Sequence, residues 1–476
     1  MVTTSSMPAL VNANLEVPLC TGGTRRYVNL DNAASSPAMQ AVADAVNQAL
    51  PWYSSVHRGA GFPSRVATAM YEAARERIGA FVGAGPDHVV IIVRNTTDAL
   101  NHLARCMAIG EQSVVVTTEV EHHANLLPWR RVARVVHVPP PATAAALLAD
   151  LDTALQANPV AMVAVTGASN VTGEVFPLRQ ISELAHRHGA LLTVDAAQLA
   201  PHRAIDMVAD GIDCLALSGH KMYAPFGAGA LIAPAALLRD SEPFLAGGGA
   251  VDFVTLDSVI WTGLPDRLEA GSPNVIGAIA LAAACSALDT AGGGTTGTGM
   301  AVVANHERAL LAQLEARLER IDRLTMHRLW ADADRVGICT FTVADMSHAL
   351  VAGILSAEHG IGVRHGCFCA HPYITHLLGI DATARPAIVA RLVAGERAGI
   401  PGAVRASFGI GTTEDDVDRL ATALEDICSL GPQLDYVEDS ATGDFEPVGG
   451  DTRPMPVIDG LPPMFLDERA RACGQY

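Results

Sequence analysis

The chain has 476 residues, half of them hydrophobic, enough to bury a large core and to build one big domain with a smaller companion. A formal charge of −18 and an isoelectric point near 5.3 exclude the basic surface that nucleic acid or an anionic membrane rewards, so a small molecule or a protein is the expected partner. Residues 1–26 lack a basic head followed by an apolar run, and no stretch reads as long and apolar enough to cross a bilayer, so a cytoplasmic protein is expected.

In chain order, residues 1–45 read as an N-terminal segment joining the smaller domain. Over 46–300, short apolar runs alternate with helical patterns: HVVIIV (88–93), SVVVTT (113–118), VAMVAVTG (160–167), ALLTVDAA (190–197), CLALSG (214–219) and GALIAP (229–234). Amphipathic stretches at 64–83, 98–108 and 178–188 separate them. That alternation predicts an α/β large domain, a mostly parallel sheet between helical layers with ligand-binding loops along one edge. The pattern then gives a helix over 301–320, a strand near 336–344, a helix over 346–359 and further helices to about 430, a smaller α/β C-terminal domain ending at 432. Residues 433–476 are acidic and proline-rich and are expected to form an irregular tail. The nine cysteines are odd in number and scattered, so reduced thiols are expected.

Among the 32 Lys+Arg there is a single lysine, Lys221. A guanidinium stays protonated, whereas an amine can shed its proton and condense with a carbonyl. Arginine serves wherever charge is enough, so the one amine marks where amine chemistry belongs. Its surroundings agree. In DCLALSGHK, Ser218 and His220 could hold a phosphate while Lys221 reaches an aldehyde. In LLTVDAAQ, Asp195 at a strand end could keep a pyridinium nitrogen protonated, although the same residue suits a helix N-cap. His122 in TTEVEHHANLLPW could stack on a ring and shuttle protons, and the threonines of RNTTDALN open a helix whose N-terminus suits an anion.

These blocks, in the order RNTTDALN, EHHANLLPW, SNVTG, VDAAQ, SGHK, RHGCFCAHP and VRASF, resemble the class V aminotransferases, pyridoxal 5'-phosphate (PLP) enzymes of fold type I. Within that family the chain is most similar to the group II cysteine desulfurases and selenocysteine lyases. The resemblance implies that Lys221 carries PLP as a Schiff base, that Ser218, His220 and Thr97 hold its phosphate, and that His122 stacks on its ring. It implies that Asp195 pairs with the ring nitrogen, that Gln198 and Asn170 contact the ring hydroxyl, and that Ser272 in LEAGSPN reaches the cofactor of a neighbouring protomer in a homodimer. Arg405 in VRASF resembles the arginine that clamps the substrate carboxylate, and His57 and Arg58 in VHRGAG resemble further substrate-binding residues.

Cys369 falls where group II desulfurases carry the thiol that attacks substrate sulfur, which implies L-cysteine as substrate, alanine and a persulfide as products, and a sulfur-acceptor protein as partner. Where the commonest group II pattern has histidines before this thiol, the chain has Cys367 and Phe368, so Cys367 reads either as a relay thiol or as a packed apolar residue. His365, Cys367, Cys369 and His371 alternate, but residues two apart on a strand are about 6.6 Å apart, too far for four to close on one ion, so no metal is expected. Another PLP reaction on the same scaffold, such as transamination, epimerisation, selenocysteine cleavage or a carbon–sulfur lyase step, fits the same cofactor residues with Cys369 as a bystander.

Overall fold

The computed structural model describes residues 7–107, 113–295, 297–462 and 464. The described residues divide into two compact units: those of 7–12 with 33–308 and 329–336, and those of 13–32 with 309–328 and 337–464. The segment 1–45 is therefore split, residues 33–45 lying in the first unit. The division placed at residue 300 falls instead inside the helix Gly299–Leu318. Leu310, Leu311, Leu314 and Leu318 of that helix are buried in the second unit's core with Phe341 and Leu355, which draws its C-terminal half there.

In the first unit, β1 (His88–Val93), β2 (Val114–Thr118), β3 (Arg134–Val138), β4 (Val160–Thr166), β5 (Leu191–Asp195), β6 (Cys214–Ser218) and β7 (Gly229–Pro234) form a seven-stranded sheet in the order β1-β7-β6-β5-β4-β2-β3. The run from β6 to β3 is parallel throughout. β7 is antiparallel to both β6 and β1. Only residues 219–228 connect β6 to β7, too few for the crossover that parallel strands need, so the chain turns straight back. β3 escapes the sequence pattern because it is an edge strand whose Arg134 and His137 are exposed.

Helices α1 (Phe62–Phe81) and α2 (Thr96–Cys106) flank the sheet, and α3 (Val275–Asp289) packs against α1 and the helix Gln40–Ala49. The stretch Val275–Gly293, 19 residues with a mean hydropathy of 1.7 over its most apolar window, is long and apolar enough by composition to cross a bilayer, contrary to the reading above. Burial explains its character, since Val275, Ala278, Leu281, Cys285 and Leu288 are all enclosed in the unit's own core.

The second unit is an antiparallel sheet of β8 (Leu324–His327), β9 (Ile338–Val343), β10 (Arg364–Gly366) and β11 (Ala403–Ser407), ordered β8-β9-β11-β10, with helices α4 (His348–His359) and α5 (Glu414–Leu430) in its core. The described tail is regular in its first part only, and from 451 to 464 its described residues form neither helix nor strand. Tyr436–Glu438 and Phe445–Pro447 pair as a hairpin. Its start is tied down by the buried Glu358 of α4, whose carboxylate accepts the backbone N–H groups of Gln433 and Leu434 and the Tyr436 hydroxyl at 3.0–3.1 Å. Cys473 and the rest of 465–476 lie outside the described residues.

Candidate active site

Each parallel strand from β2 to β6, apart from the edge strand β3, is followed by a residue singled out from the sequence. β2 leads to His122, β4 to Asn170, β5 ends in Asp195 and leads to Gln198, and β6 ends in Ser218 and leads to Lys221. The carboxyl ends of parallel strands are where a doubly wound sheet leaves its backbone turns open to a ligand. Lys221 closes the short helical turn Gly219–Lys221, held by the Met222 N–H on the Gly219 carbonyl at 2.8 Å. A Cβ on Gly219 would lie 2.6 Å from the Ala228 carbonyl oxygen, so only glycine lets the turn leave the strand here. Ser36 pins the same turn, its hydroxyl donating to the His220 carbonyl at 3.1 Å and accepting the Tyr223 N–H at 2.7 Å.

Asp195 is fully buried, and burial raises its pKa, opposed by the Ala197 N–H it accepts at 3.0 Å and by the charge of Lys221. The carboxylate thus caps the turn after β5 and lies within electrostatic reach of the Lys221 amine. Gln198 is buried and donates Nε2 to the Ala33 carbonyl at 2.6 Å, which leaves its Oε1 enclosed with no donor. At the other strand end, the Ser218 hydroxyl accepts the Thr96 N–H and meets Thr96 Oγ1, both at 2.8 Å, locking β6 to the N-terminus of α2. Thr96 is therefore the threonine whose side chain meets Ser218, while Thr97 is exposed in the same first helical turn. His220 approaches Ser35 at 3.4 Å, and burial together with the Lys221 charge pushes it down to about 4, so its ring is neutral at physiological pH. Nδ1 of His122 accepts the Ala124 N–H at 3.1 Å, which places the proton of a neutral ring on Nε2.

Glu121, beside His122, is a site residue the sequence does not announce. Its buried carboxyl accepts Thr118 Oγ1 and Asn125 Nδ2, each at 2.8 Å, and Asn125 in turn accepts Trp129 Nε1 at 3.1 Å. Burial pushes it up to about 8, with the Asp195 charge acting in the same direction. A carboxyl whose folded pKa exceeds its unfolded value of about 4.3 holds more protons folded than unfolded between the two, so its share of stability is whole below the lower value and is lost as pH rises through the higher. Denaturant unfolding from about pH 5 to about pH 9 should therefore show the wild type losing stability relative to Glu121→Gln as pH rises. A difference independent of pH would contradict this assignment.

His57, Arg58 and Ser272 come together elsewhere in the first unit, around a cleft of about 360 Å³ shared with Gly248, Gly249 and Asp266. Among the described residues, its lining includes none of Lys221, Asp195 or His122. His57 has a left-handed backbone (φ 67°), with its N–H on Thr68 Oγ1 at 2.8 Å and its Nε2 3.1 Å from Glu72, while Arg58 donates to the Val251 carbonyl at 3.1 Å.

The second unit holds Cys369 and Arg405. Cys369 is the one exposed thiol among the described cysteines, all of which are free. It sits on a tight turn closed by the Ala370 N–H on the Cys367 carbonyl at 2.9 Å, with Phe368 and Cys369 both left-handed at φ 53°. Two successive non-glycine residues in that region store backbone strain, a feature that gathers at functional sites. Arg405 on β11 is 3% exposed, lies 4.9 Å over the Phe368 ring, and donates to Asp31 at 3.3 Å. Burial pushes it down to about 10, still charged at neutral pH, with Asp31 and Cys369 opposing that shift. His365 stacks on His348 at 5.4 Å and reaches Asp444 at 3.3 Å.

The family model described as aminotransferase class-V matches residues 28–420. The chain belongs to the class V aminotransferase family. It is 35% identical over 407 residues to a probable cysteine desulfurase of Halalkalibacterium halodurans (84% of this chain, 92% of that one) and 33% identical over 414 residues to a cysteine desulfurase of Yersinia pseudotuberculosis (85% and 94%). Among solved structures, it is similar to a cysteine desulfurase from Thermococcus onnurineus in its apo form (TM-score 0.73, 28% identity, 84% of this chain and 94% of that one). An Escherichia coli cysteine desulfurase in an S-sulfonic acid form gives a TM-score of 0.69 at 31% identity, over 84% and 94%.

Class V aminotransferases are PLP-dependent enzymes, and the residues present fit that cofactor. The sole side-chain amine for the aldehyde lies within electrostatic reach of a fully buried carboxylate suited to the ring nitrogen. The enclosed Gln198 Oε1 lacks a donor, a setting that suits a ring hydroxyl. At the α2 N-terminus the Thr96 N–H goes to Ser218 and the Asp98 N–H to Asn95, so the exposed Thr97 between them is the residue suited to a phosphate.

Proposed function

We propose that the chain is a PLP-dependent cysteine desulfurase, converting L-cysteine to L-alanine and retaining the sulfur as a persulfide on Cys369 for a sulfur-acceptor protein. The observation that carries this reading is the placement of Cys369, an exposed thiol on a strained turn whose neighbour Arg405 is a buried, charged guanidinium. Relatives named cysteine desulfurase, matched over more than nine-tenths of their own length, support it.

When bound, PLP withdraws electrons from the α-carbon of its amino-acid partner and so makes the α proton acidic. Lys221 would hold the cofactor through its amine, and its Nζ is suited to act as a base for that proton. Asp195 would keep the ring nitrogen protonated, and His122, with its proton on Nε2, would be a second proton carrier. The planar fork of Arg405 suits an α-carboxylate. The nucleophilic form of Cys369 is its thiolate. That thiolate attacks the substrate sulfur: an S–S bond forms, the substrate C–S bond breaks, and the carbon keeps the electron pair and takes a proton. Cysteine plus thiol thus becomes alanine plus persulfide with no outside oxidant. The same reading makes the enzyme a cytoplasmic homodimer, in which Ser272 serves the phosphate of the neighbouring protomer's cofactor and His57 and Arg58 contribute to substrate binding.

The test is to incubate the purified holoenzyme with L-cysteine and quantify alanine and protein persulfide. Wild type should yield both, and Cys369→Ala neither. Keto-acid formation that survives Cys369→Ala would move the chain to the transaminating members of its family.

A further inference from the structure

The turn that presents Cys369 carries a second thiol in a prepared setting. Cys367 Sγ lies 3.1 Å from His371 Nε2, a residue at the start of the following helix. The backbone N–H of Cys369 polarises the same sulfur, and the electrostatic influence of Cys369 reaches it. The turn is tight, with the Cys367 carbonyl bonded to the Ala370 N–H, so the two thiols stand on adjoining corners of one bend. Unlike Cys106, Cys214, Cys285 and Cys339, which are buried fillers, Cys367 keeps partial access to solvent.

We propose that Cys367 is a second sulfur-carrying residue, to which sulfane sulfur passes from Cys369 with His371 as the base. The proposal rests on the desulfurase reading and extends it. His371 Nε2 takes the Cys367 proton, and the resulting thiolate attacks the terminal sulfur of the Cys369 persulfide. One S–S bond forms on Cys367 as the S–S bond on Cys369 breaks. Cys369 leaves as a thiolate and recovers the proton from His371, while the transferred sulfur keeps its own hydrogen throughout. The exchange is thermoneutral in bond type and needs neither oxidant nor reductant. Burial raises the Cys367 pKa and lowers that of His371, so the pair rests as thiol and neutral imidazole, the state in which the imidazole can act as base. Two consequences follow chemically. Cys369 is returned free for another substrate, and the outgoing sulfur is held two residues from the thiol that made it.

The test uses holoenzyme, sulfur-labelled L-cysteine and no acceptor, with alkylation under native conditions followed by peptide mass spectrometry. Wild type should carry labelled persulfide on both Cys367 and Cys369. In His371→Ala the rate at which label appears on Cys367 should fall on the order of a hundredfold, the usual contribution of a positioned base, while Cys369 remains labelled. Label confined to Cys369 in wild type overturns the proposal, and so does a Cys367–Cys369 disulfide with release of sulfide. The wild-type distribution decides the question even if the variant does not fold. Absence of alanine and of label in wild type would instead sink the desulfurase reading, and this proposal with it.

Discussion

Lys221→Arg is expected to abolish covalent attachment of PLP and to lower turnover on the order of a thousandfold or more, about 4 kcal/mol of activation free energy. The substitution keeps the positive charge beside Asp195 and leaves the backbone bonds of the Gly219–Lys221 turn in place, so the protein should fold. What it removes is the only side-chain amine in 476 residues. A guanidinium that stays protonated cannot condense with an aldehyde, however well it is placed. Because no second lysine can substitute, the readout is clean. Borohydride treatment of the yellow wild-type protein should fix the cofactor's mass onto the peptide bearing Lys221, and the arginine variant should be colourless. A reduced label on any other side chain would refute the assignment.

Glu269→Ala should be among the most destabilising single changes in the first unit, at about 3–5 kcal/mol. Glu269 is the second residue of the LEAGSPN block, and its carboxylate is 3% exposed, bonded to Arg75 at 2.6 and 3.0 Å. It also accepts the Tyr71 hydroxyl at 2.7 Å and the Ile92 N–H of β1 at 2.6 Å. Removing it leaves an almost fully buried guanidinium with only the half-exposed Glu72 for a carboxylate partner, and leaves two further donors unanswered. Because Glu269 fixes the chain three residues before Ser272, the cleft lined by His57 and Arg58 should loosen with it. The control is Glu72→Ala, whose exposed carboxylate should be worth no more than about 1 kcal/mol. Urea denaturation of both variants decides it, and midpoints shifted equally and slightly would show that the buried pair is not what holds this block.

Much of the cofactor cradle was legible because its determinants are local. Apolar runs of strand length, each ending in a polar residue, announced β2, β4, β5 and β6, and in a parallel sheet those ends fall on one edge whatever the helices do. Hence Asp195, Gln198, Ser218 and Lys221 could be named from order and spacing, and Cys369 from its motif. The reversed β7 was less accessible, since its direction depends on the brevity of residues 219–228 and not on the strand's own composition. The Val275–Gly293 helix carries a composition that suits a lipid bilayer and a protein core equally, and only its neighbours distinguish them.

The amino-acid sequence by itself determined the chemistry: one amine, a carboxylate at a strand end, and a thiol in a seven-block order that identifies the family. The tertiary structure alone decided which groups support them. Asp31 meets Arg405 across 374 positions, Glu269 meets Arg75 across 194, and the Glu358 carboxylate gathers a tail hairpin whose first residue, Tyr436, lies 78 residues later. Thr96 rather than Thr97 closes on Ser218, and Cys367 finds His371 because a left-handed bend turns the chain between them. The physical reason is range. Hydrophobic period and turn chemistry act over a few residues and are written in the order of the chain, whereas buried polar groups must find partners wherever the packed core brings them.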